Sequence, residues 1–228
     1  MMATLCCAIH PAHGQRWSCA PTRHPLTDVR VRQAMKMVAD RQVLVDLVLS
    51  GAGTISCDTP VASRDVYRWE GEYPQDIEGA KALLAEAGYP DGLDVTLYTS
   101  DAIAILIPLA EVYQQQAAAA GINVTLEVLC ADSYWTEAWM VEPLVASFWL
   151  ERPADDILNT LWRLTAPWNE AYFQNTEYDQ LLDEARRTLD FETRRTRYQE
   201  AQQLGATEGG HLIPFHLNQF TVVSNSVT

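Results

Sequence analysis

Side chains that could bind a small molecule concentrate between Ser147 and Glu170. This stretch reads SFWLERPADDILNTLWRLTAPWNE, and five of the chain's seven tryptophans fall between Trp135 and Trp168. Tryptophan is apolar but carries an indole N–H that needs a partner, so tryptophans interleaved with carboxylates and arginines suit a concave ligand site. The rim of a hydrophobic core with ordinary surface charges would have the same composition. The stretch therefore indicates either a ligand site or the edge of a core.

The carboxylates of this stretch also allow acid–base chemistry. A hydrolase could use Asp155, Glu151 or His216 as its acid or base. Asp155 and Asp156, however, also suit the first turn of a helix, where the helix dipole favours negative charge. His211 and His216 lie five apart on a predicted strand, which would place them on opposite faces and exclude a joint metal site. No phosphate-binding glycine loop, G-x-S-x-G, H-E-x-x-H or paired C-x-x-C motif occurs. We therefore expect no catalytic residues, no metal and no cofactor.

Composition excludes several classes of partner. The chain has 228 residues and a formal net charge of -14, with 16 lysines and arginines against 30 acidic residues. Such a charge argues against nucleic acid or an anionic membrane surface as the main partner. No apolar run approaches the roughly 20 residues that a membrane helix requires. The length and the 48% hydrophobic content suit a soluble globular protein with a sizeable core.

The first 24 residues differ from the rest. They contain three of the five cysteines, three of the five histidines and no acidic residue. Thiolates and imidazoles are zinc ligands, but their spacing here matches no zinc finger; the candidate ligands are Cys6, Cys7, His10, His13 and Cys19. We therefore expect residues 1–24 to be a disordered leader outside the folded unit.

Capping residues and hydrophobic periodicity predict the elements that would position the site. A helix is expected to begin after each of several capping residues: Thr27 or Asp28, Asp40, Asp76, Thr176 and Asp190. Asp132 is expected to begin a short helix through Trp139. Between these helices, alternating or apolar runs predict strands at Leu93–Thr99, Ile122–Leu129 and Leu144–Trp149. Strands that alternate with helices favour an α/β lobe, and ligands bind such sheets beyond the carboxyl ends of the strands. Trp149 stands at such an end.

Several blocks of the sequence resemble the family 5 extracellular solute-binding proteins, the peptide and nickel type receptors of ABC importers. The blocks are LTDVRVRQAMKMVADRQVLVDLVLSGAGT, QDIEGAKALLAEAGYPDGLDVTLYT, PLAEVYQQQAAAAGINVTLEVL, WLERPADDIL, PWNEAYFQNTEYDQLLDEAR and GGHLIPFHLN. They follow one another in order from Leu26 to about Val223. The resemblance implies an α/β fold of the type II periplasmic-binding-protein kind, with a mixed sheet flanked by helices.

The resemblance also implies the site and the function. Such receptors bind a small solute, here expected to be a short peptide, in a cleft between two lobes and deliver it to ABC permease subunits. In similar proteins the segment around Trp149 lines the cleft, and an acidic residue near it receives the ligand's amino terminus; here that residue is Glu151 or Asp155. Arg152 could instead meet a ligand carboxylate. The expected ligand contacts are Trp149, Arg152, Asp155, Trp168, Asn169, Tyr134 and Trp135.

Family members are about twice as long as this chain. The resemblance therefore implies a C-terminal part that is incomplete at the N-terminal lobe. We expect residues 25–228 to form it, with an α/β lobe at about 25–145 and, at about 146–228, the cleft segment, a helical pair and strands returning toward the other lobe. A monomer in the periplasm or at the cell surface is expected, although no signal peptide is recognisable. The alternatives are the hydrolase above and a truncated remnant without binding activity.

Overall fold

The computed structural model describes residues 2–7 and 24–218, which form helices and strands in alternation. The helices are α1 (Val29–Met37), α2 (Arg41–Leu49), α3 (Ile77–Glu86), α4 (Leu106–Ala118), α5 (Ala131–Glu137), α6 (Ala154–Leu161), α7 (Thr176–Arg187) and α8 (Phe191–Glu208), and a 3-10 turn covers Pro25–Thr27. The strands are β1 (Met2–Cys7), β2 (Gly53–Ile55), β3 (Leu93–Ser100), β4 (Ile122–Leu129), β5 (Leu144–Trp149) and β6 (His211–Leu217).

The strands of the described residues form one mixed sheet in the order β2-β6-β1-β5-β3-β4. Strand β3 pairs in parallel with β4 and β5, which is the arrangement that helical crossovers produce. Strand β1 is antiparallel to both β5 and β6, and β2 is antiparallel to β6. The expected α/β fold, a mixed sheet flanked by helices, is confirmed.

Strand β1 corrects the expectation of a disordered leader for residues 2–7; residues 8–23 lie outside the described ones. Met2–Cys7 lie near the middle of the sheet, between β5 and β6, so their backbone has hydrogen-bonding partners on both sides. Those partners are about 140 and 210 residues away in sequence, and local patterns carry no trace of such pairings. The candidate zinc ligands His10, His13 and Cys19 lie outside the described residues. Within the described ones, no group of three or more His, Cys, Asp or Glu side chains is placed to hold a metal ion.

Most predicted helix starts are confirmed by their capping hydrogen bonds. The side chains of Asp28, Asp40, Asp76 and Asp190 each accept a hydrogen bond from a backbone N–H of the first turn. Helix α7 is capped by Asn175 rather than by Thr176, because the amide oxygen of Asn175 accepts a hydrogen bond from the backbone N–H of Tyr178. The predicted loop from Gly51 to Pro74 also contains the short strand β2.

Among the described residues, two large hydrophobic cores lie on opposite faces of the sheet, and a smaller cluster surrounds Tyr134. Helices α1 to α4 enclose the first core with the apolar side chains of β3 and β4. Helices α6 to α8 enclose the second core against Ile213, Met2 and Trp149. Along β5 the side chains alternate, so that Leu144 and Ala146 enter the first core whereas Trp149 enters the second. The cleft segment after β5 is therefore supported by the second core.

A bulge at Pro214 corrects the prediction that His211 and His216 face opposite ways. In the pairing of β1 with β6, Leu5 lies opposite Leu212 and Ala3 opposite Phe215, so two residues of β6 face one residue of β1. The extra residue resets the alternation. Both histidines then lie on the face of the second core: His211 contacts Trp162, and His216 lies beside Trp149 and Met2. Proline has no N–H to donate to a ladder, which suits it to a bulge within an interior strand.

Candidate functional site

A pocket of about 360 Å³ opens at the carboxyl ends of β5 and β6. These ends meet at one edge of the sheet because both strands run antiparallel to β1, which lies between them. The pocket is lined by Met2, Thr54, Pro60, Ala62, Ser63, Arg64, Trp149, Leu150, Glu151, His216, Leu217 and Asn218. This location agrees with the general rule for ligands of open α/β sheets.

Trp149 forms an aromatic part of the pocket wall. Its side chain is nearly buried, at 9% exposure, and its indole N–H donates a 3.0 Å hydrogen bond to Oε1 of Glu170. The exposed ring of Trp168 lies 5.8 Å from it, centroid to centroid. Because Glu170 and the ring of Trp168 both restrain it, the Trp149 ring offers a rigid apolar surface, and binding a ligand costs little conformational entropy there.

Glu170 is a functional candidate that the sequence reasoning missed. It is fully buried, and its carboxylate accepts hydrogen bonds from the indole of Trp139, the hydroxyl of Ser147 and the indole of Trp149, and it lies 3.2 Å from Nε2 of His211. The signal was present in the PWNE block, where an acidic residue follows two residues that were singled out.

The mouth of the pocket carries one ion pair of opposite charges. The guanidinium of Arg64 donates a 2.6 Å hydrogen bond to the carboxylate of Glu151. The Arg64 side chain is 80% exposed and that of Glu151 is 38% exposed, so both groups are within reach of a ligand. Arg64 was not singled out in the sequence, because it lies in a loop 87 residues before Glu151.

His216 lies against the buried guanidinium of Arg68. The distance from Arg68 Nη1 to Nε2 of His216 is 3.1 Å. Burial, and secondarily the charge of Arg68, lower the pKa of His216 to about 3. Such a weak base is poorly matched to general-base catalysis near neutral pH. The hydrolase grouping is also divided in space, because Glu151 and His216 line the pocket and Asp155 does not.

Arg152 and Asp155 do not line the pocket, and both have partners in the protein. The guanidinium of Arg152 lies 5.8 Å from the ring centroid of Trp149 and pairs with Asp156 at 3.2 Å. The carboxylate of Asp155 accepts hydrogen bonds from Arg186 and from the hydroxyl of Tyr198. Burial raises the pKa of Asp155, but these hydrogen bonds outweigh it and hold the pKa below its ordinary value. Asp155 thus joins α6 to α7 and α8.

The remaining predicted contacts do not line the pocket. Asn169 is nearly buried and exchanges hydrogen bonds with the backbone of Phe173, which closes the loop before α7. Tyr134 is fully buried and donates its hydroxyl proton to the carbonyl of Ala146. Trp135 is partly exposed and packs edge-on against Tyr134. Among the pocket-lining residues, the sequence reasoning named Trp149 as a ligand contact, offered Glu151 as one of two carboxylates for the ligand's amino terminus, and considered His216 as an acid or base.

Within the part of the chain that the structure describes, no helix is long and apolar enough to cross a membrane.

This sequence matches a family model and individual known proteins, and these matches agree. The model of the bacterial extracellular solute-binding proteins, family 5 Middle, matches residues 10–170. The match begins inside the segment that was expected to lie outside the family. Heme-binding protein A of Haemophilus influenzae is 31% identical over 190 residues, which is 78% of this chain and 34% of that protein. Glutathione-binding protein GsiB of Pectobacterium atrosepticum is 29% identical over 194 residues, which is 79% of this chain and 38% of that protein.

Solved structures share the fold. HbpA2 from Haemophilus parasuis superposes with a TM-score of 0.80 at 24% identity, over 95% of this chain and 42% of that one. The periplasmic binding protein DppA from Helicobacter pylori, in complex with the peptide STSA, gives 0.78 at 21% identity, over 95% and 43%. The chain spans well under half the length of the proteins it matches. The fold is that of a type II periplasmic binding protein, and the chain belongs to the family 5 bacterial extracellular solute-binding proteins.

Proposed function

We propose that this chain contributes a wall of the ligand site of an ABC importer receptor, and that the ligand is a short peptide. The receptor would work as a monomer in the periplasm or at the cell surface and pass its ligand to permease subunits in the membrane. One observation carries the choice of ligand: the pocket has a carboxylate and a guanidinium together at its mouth, next to Trp149. The relatives are named for heme, glutathione and peptide binding, which leaves the ligand class open.

A peptide is a zwitterion near neutral pH, and the mouth of the pocket complements both of its charges. Glu151 would accept hydrogen bonds from the terminal ammonium, and Arg64 would donate to a carboxylate. An exposed ion pair contributes only about 0–1 kcal/mol to stability, so a ligand can replace it at little cost. Of the two carboxylates that the sequence left open, Glu151 is favoured because Asp155 is engaged by Arg186 and Tyr198.

Aromatic contact would supply the rest of the affinity. The pocket-facing side of Trp149 can pack against the apolar part of a peptide residue, and Leu150, which is 60% exposed, extends the same surface. Arg152 lies over Trp149 and is proposed as a second cation for a ligand carboxylate. These contacts tolerate different side chains, since the charged groups recognise only the termini of the peptide.

Isothermal titration calorimetry tests the proposal directly. The folded 228-residue chain would be titrated with tri-alanine, N-acetyl-tri-alanine, glutathione and hemin. We expect tri-alanine to bind and Glu151→Gln to weaken it about tenfold or more, because a hydrogen bond to a charged group contributes about 1.5–3 kcal/mol. N-acetyl-tri-alanine, which lacks the ammonium, should be insensitive to Glu151→Gln.

A matched control is available in Glu78→Gln. Glu78 is also an exposed carboxylate in an ion pair, with Lys81 at 2.8 Å, but it does not line the pocket. It should leave the affinity unchanged. Binding of hemin but of no peptide would overturn the choice of ligand, and equal effects of Glu151→Gln and Glu78→Gln would overturn the role of Glu151.

A further inference from the structure

Glu170 is a buried carboxylate at which several distant segments meet. Its donors come from β5 (Ser147 and Trp149), from the segment after α5 (Trp139) and from β6 (His211). Among the described residues no lysine or arginine forms an ion pair with it. A buried carboxylate is stable only when its oxygens are saturated with donors, and these groups supply them.

The protonation of His211 follows from its two neighbours. The indole N–H of Trp162 lies 2.8 Å from Nδ1 of His211. An indole nitrogen only donates, so Nδ1 accepts, and the single proton of a neutral imidazole then resides on Nε2. Nε2 lies 3.2 Å from Oε1 of Glu170 and donates to it. Four donors therefore surround the carboxylate, two of them on Oε1 and two on Oε2.

This arrangement restricts the ring of Trp149. Its indole N–H is buried and points away from the pocket toward Glu170, while the same side chain lines the pocket. Rotating the ring about its last side-chain torsion would leave the N–H without a partner and would remove one of the two donors to Oε1 of Glu170. A buried donor that loses its acceptor is costly, so one orientation is strongly preferred.

We propose that Glu170 is a positioning residue for the ligand pocket: its carboxylate holds the indole of Trp149 in the orientation that presents its ring to the ligand. Glu170 does not line the pocket and acts through Trp149. The inference rests on the proposed function in its effect on affinity, but the orientation of Trp149 can be tested without a ligand.

Indole N–H resonances of the ¹⁵N-tryptophan-labelled chain test the orientation. In the ligand-free wild type, the Trp149 N–H should exchange with deuterium far more slowly than that of Trp168, whose ring is 43% exposed. Glu170→Gln replaces one acceptor oxygen with an N–H₂ group that faces the indole donors. The indole resonances of Trp149 and Trp139 should therefore shift, and that of Trp168 should stay unchanged. Trp149→Phe, Trp139→Phe and Trp168→Phe assign the peaks.

Affinity for tri-alanine tests the consequence. Glu170→Gln should weaken binding about tenfold, whereas Asp58→Asn should not alter the affinity of the molecules that remain folded. Asp58 is the matched control, because it is also a fully buried carboxylate but contacts Arg41 and the N–H of Ile213, away from Trp149.

Each outcome of these experiments either supports or overturns the positioning role of Glu170. A Trp149 resonance that exchanges as fast as that of Trp168, or that stays in place in Glu170→Gln, overturns the proposal; the exchange result needs no variant to fold. If the wild type binds tri-alanine and Glu170→Gln shifts the resonance without loss of affinity, the positioning role is overturned. If the wild type binds no tri-alanine, the proposed function fails, and the ligand-free resonances still decide whether Glu170 orients Trp149.

Discussion

Replacing His216 with glutamine should make the fold more resistant to mild acid. His216 is 9% exposed and lies beside the guanidinium of Arg68, which is itself buried. Burial first and the charge of Arg68 second disfavour the imidazolium and lower the pKa of His216 to about 3. Glutamine cannot be protonated in this range, yet its carbonyl oxygen can still accept the hydrogen bond from Arg68.

The size of this effect follows from the difference between the pKa of His216 in the folded chain and its pKa in the unfolded chain. The ordinary pKa of histidine is 6.5, and the folded-state pKa is about 3. Below pH 6.5 the unfolded chain takes up a proton that the folded chain refuses, so stability is lost as pH falls from 6.5 toward 3. Each pH unit in that window costs about 1.4 kcal/mol. At pH 5 the loss is therefore about 2 kcal/mol, and above pH 7 it vanishes.

Urea unfolding at pH 7.5 and pH 5.0 measures the effect. The free energy of unfolding of wild type and His216→Gln would be compared at both pH values, because carboxylates contribute equally to both proteins and cancel in the comparison. We expect the variant to gain about 2 kcal/mol relative to wild type between pH 7.5 and pH 5.0. A difference between the two proteins that stays constant with pH would refute the reasoning.

Three further predictions concern stability and are measured by urea unfolding at pH 7.5. Asp58→Asn should cost about 3–5 kcal/mol, because it removes the negative charge that lies 2.7 Å from the buried guanidinium of Arg41. Asparagine tolerates the positive φ at this position, and a loss below about 1 kcal/mol would contradict the prediction. Gly205→Ala should cost about 1–3 kcal/mol, since its Cβ would lie 2.2 Å from the ring of Trp162, and an unchanged midpoint would show that the ring yields freely. Asn175→Ala removes the cap of α7 and should cost about 1 kcal/mol, whereas Asn175→Asp should not; equal losses would reject the capping role.

The tryptophans that cluster in the sequence occupy three different environments. Trp149 lines the pocket with the ring of Trp168 5.8 Å from it, Trp135 packs against Trp139, and Trp162 is fully buried in the second core. Part of the stretch therefore lines the pocket, and the rest belongs to the hydrophobic core.

Local rules were sufficient for most of the architecture. Carboxylates before apolar helical repeats marked the starts of α1, α2, α3 and α8, because a cap depends on residues at most three apart. Alternation marked β3 and β4, and the carboxyl end of β5 correctly located the edge of the sheet where the pocket lies. Asp155 and Asp156 were also correctly predicted in the first turn of a helix, α6, where the helix dipole favours negative charge.

The sequence by itself determined the family, the order of the elements from α3 to β6 and the segment that carries the pocket, since each depends on neighbouring residues. Only the tertiary structure decided which residues meet. The position of β1, the bulge that turns His211 and His216 to one face, the pairing of Arg64 with Glu151 and the donors around Glu170 all join segments that are distant along the chain. Such contacts arise from the packing of whole strands and helices, and no local pattern encodes them.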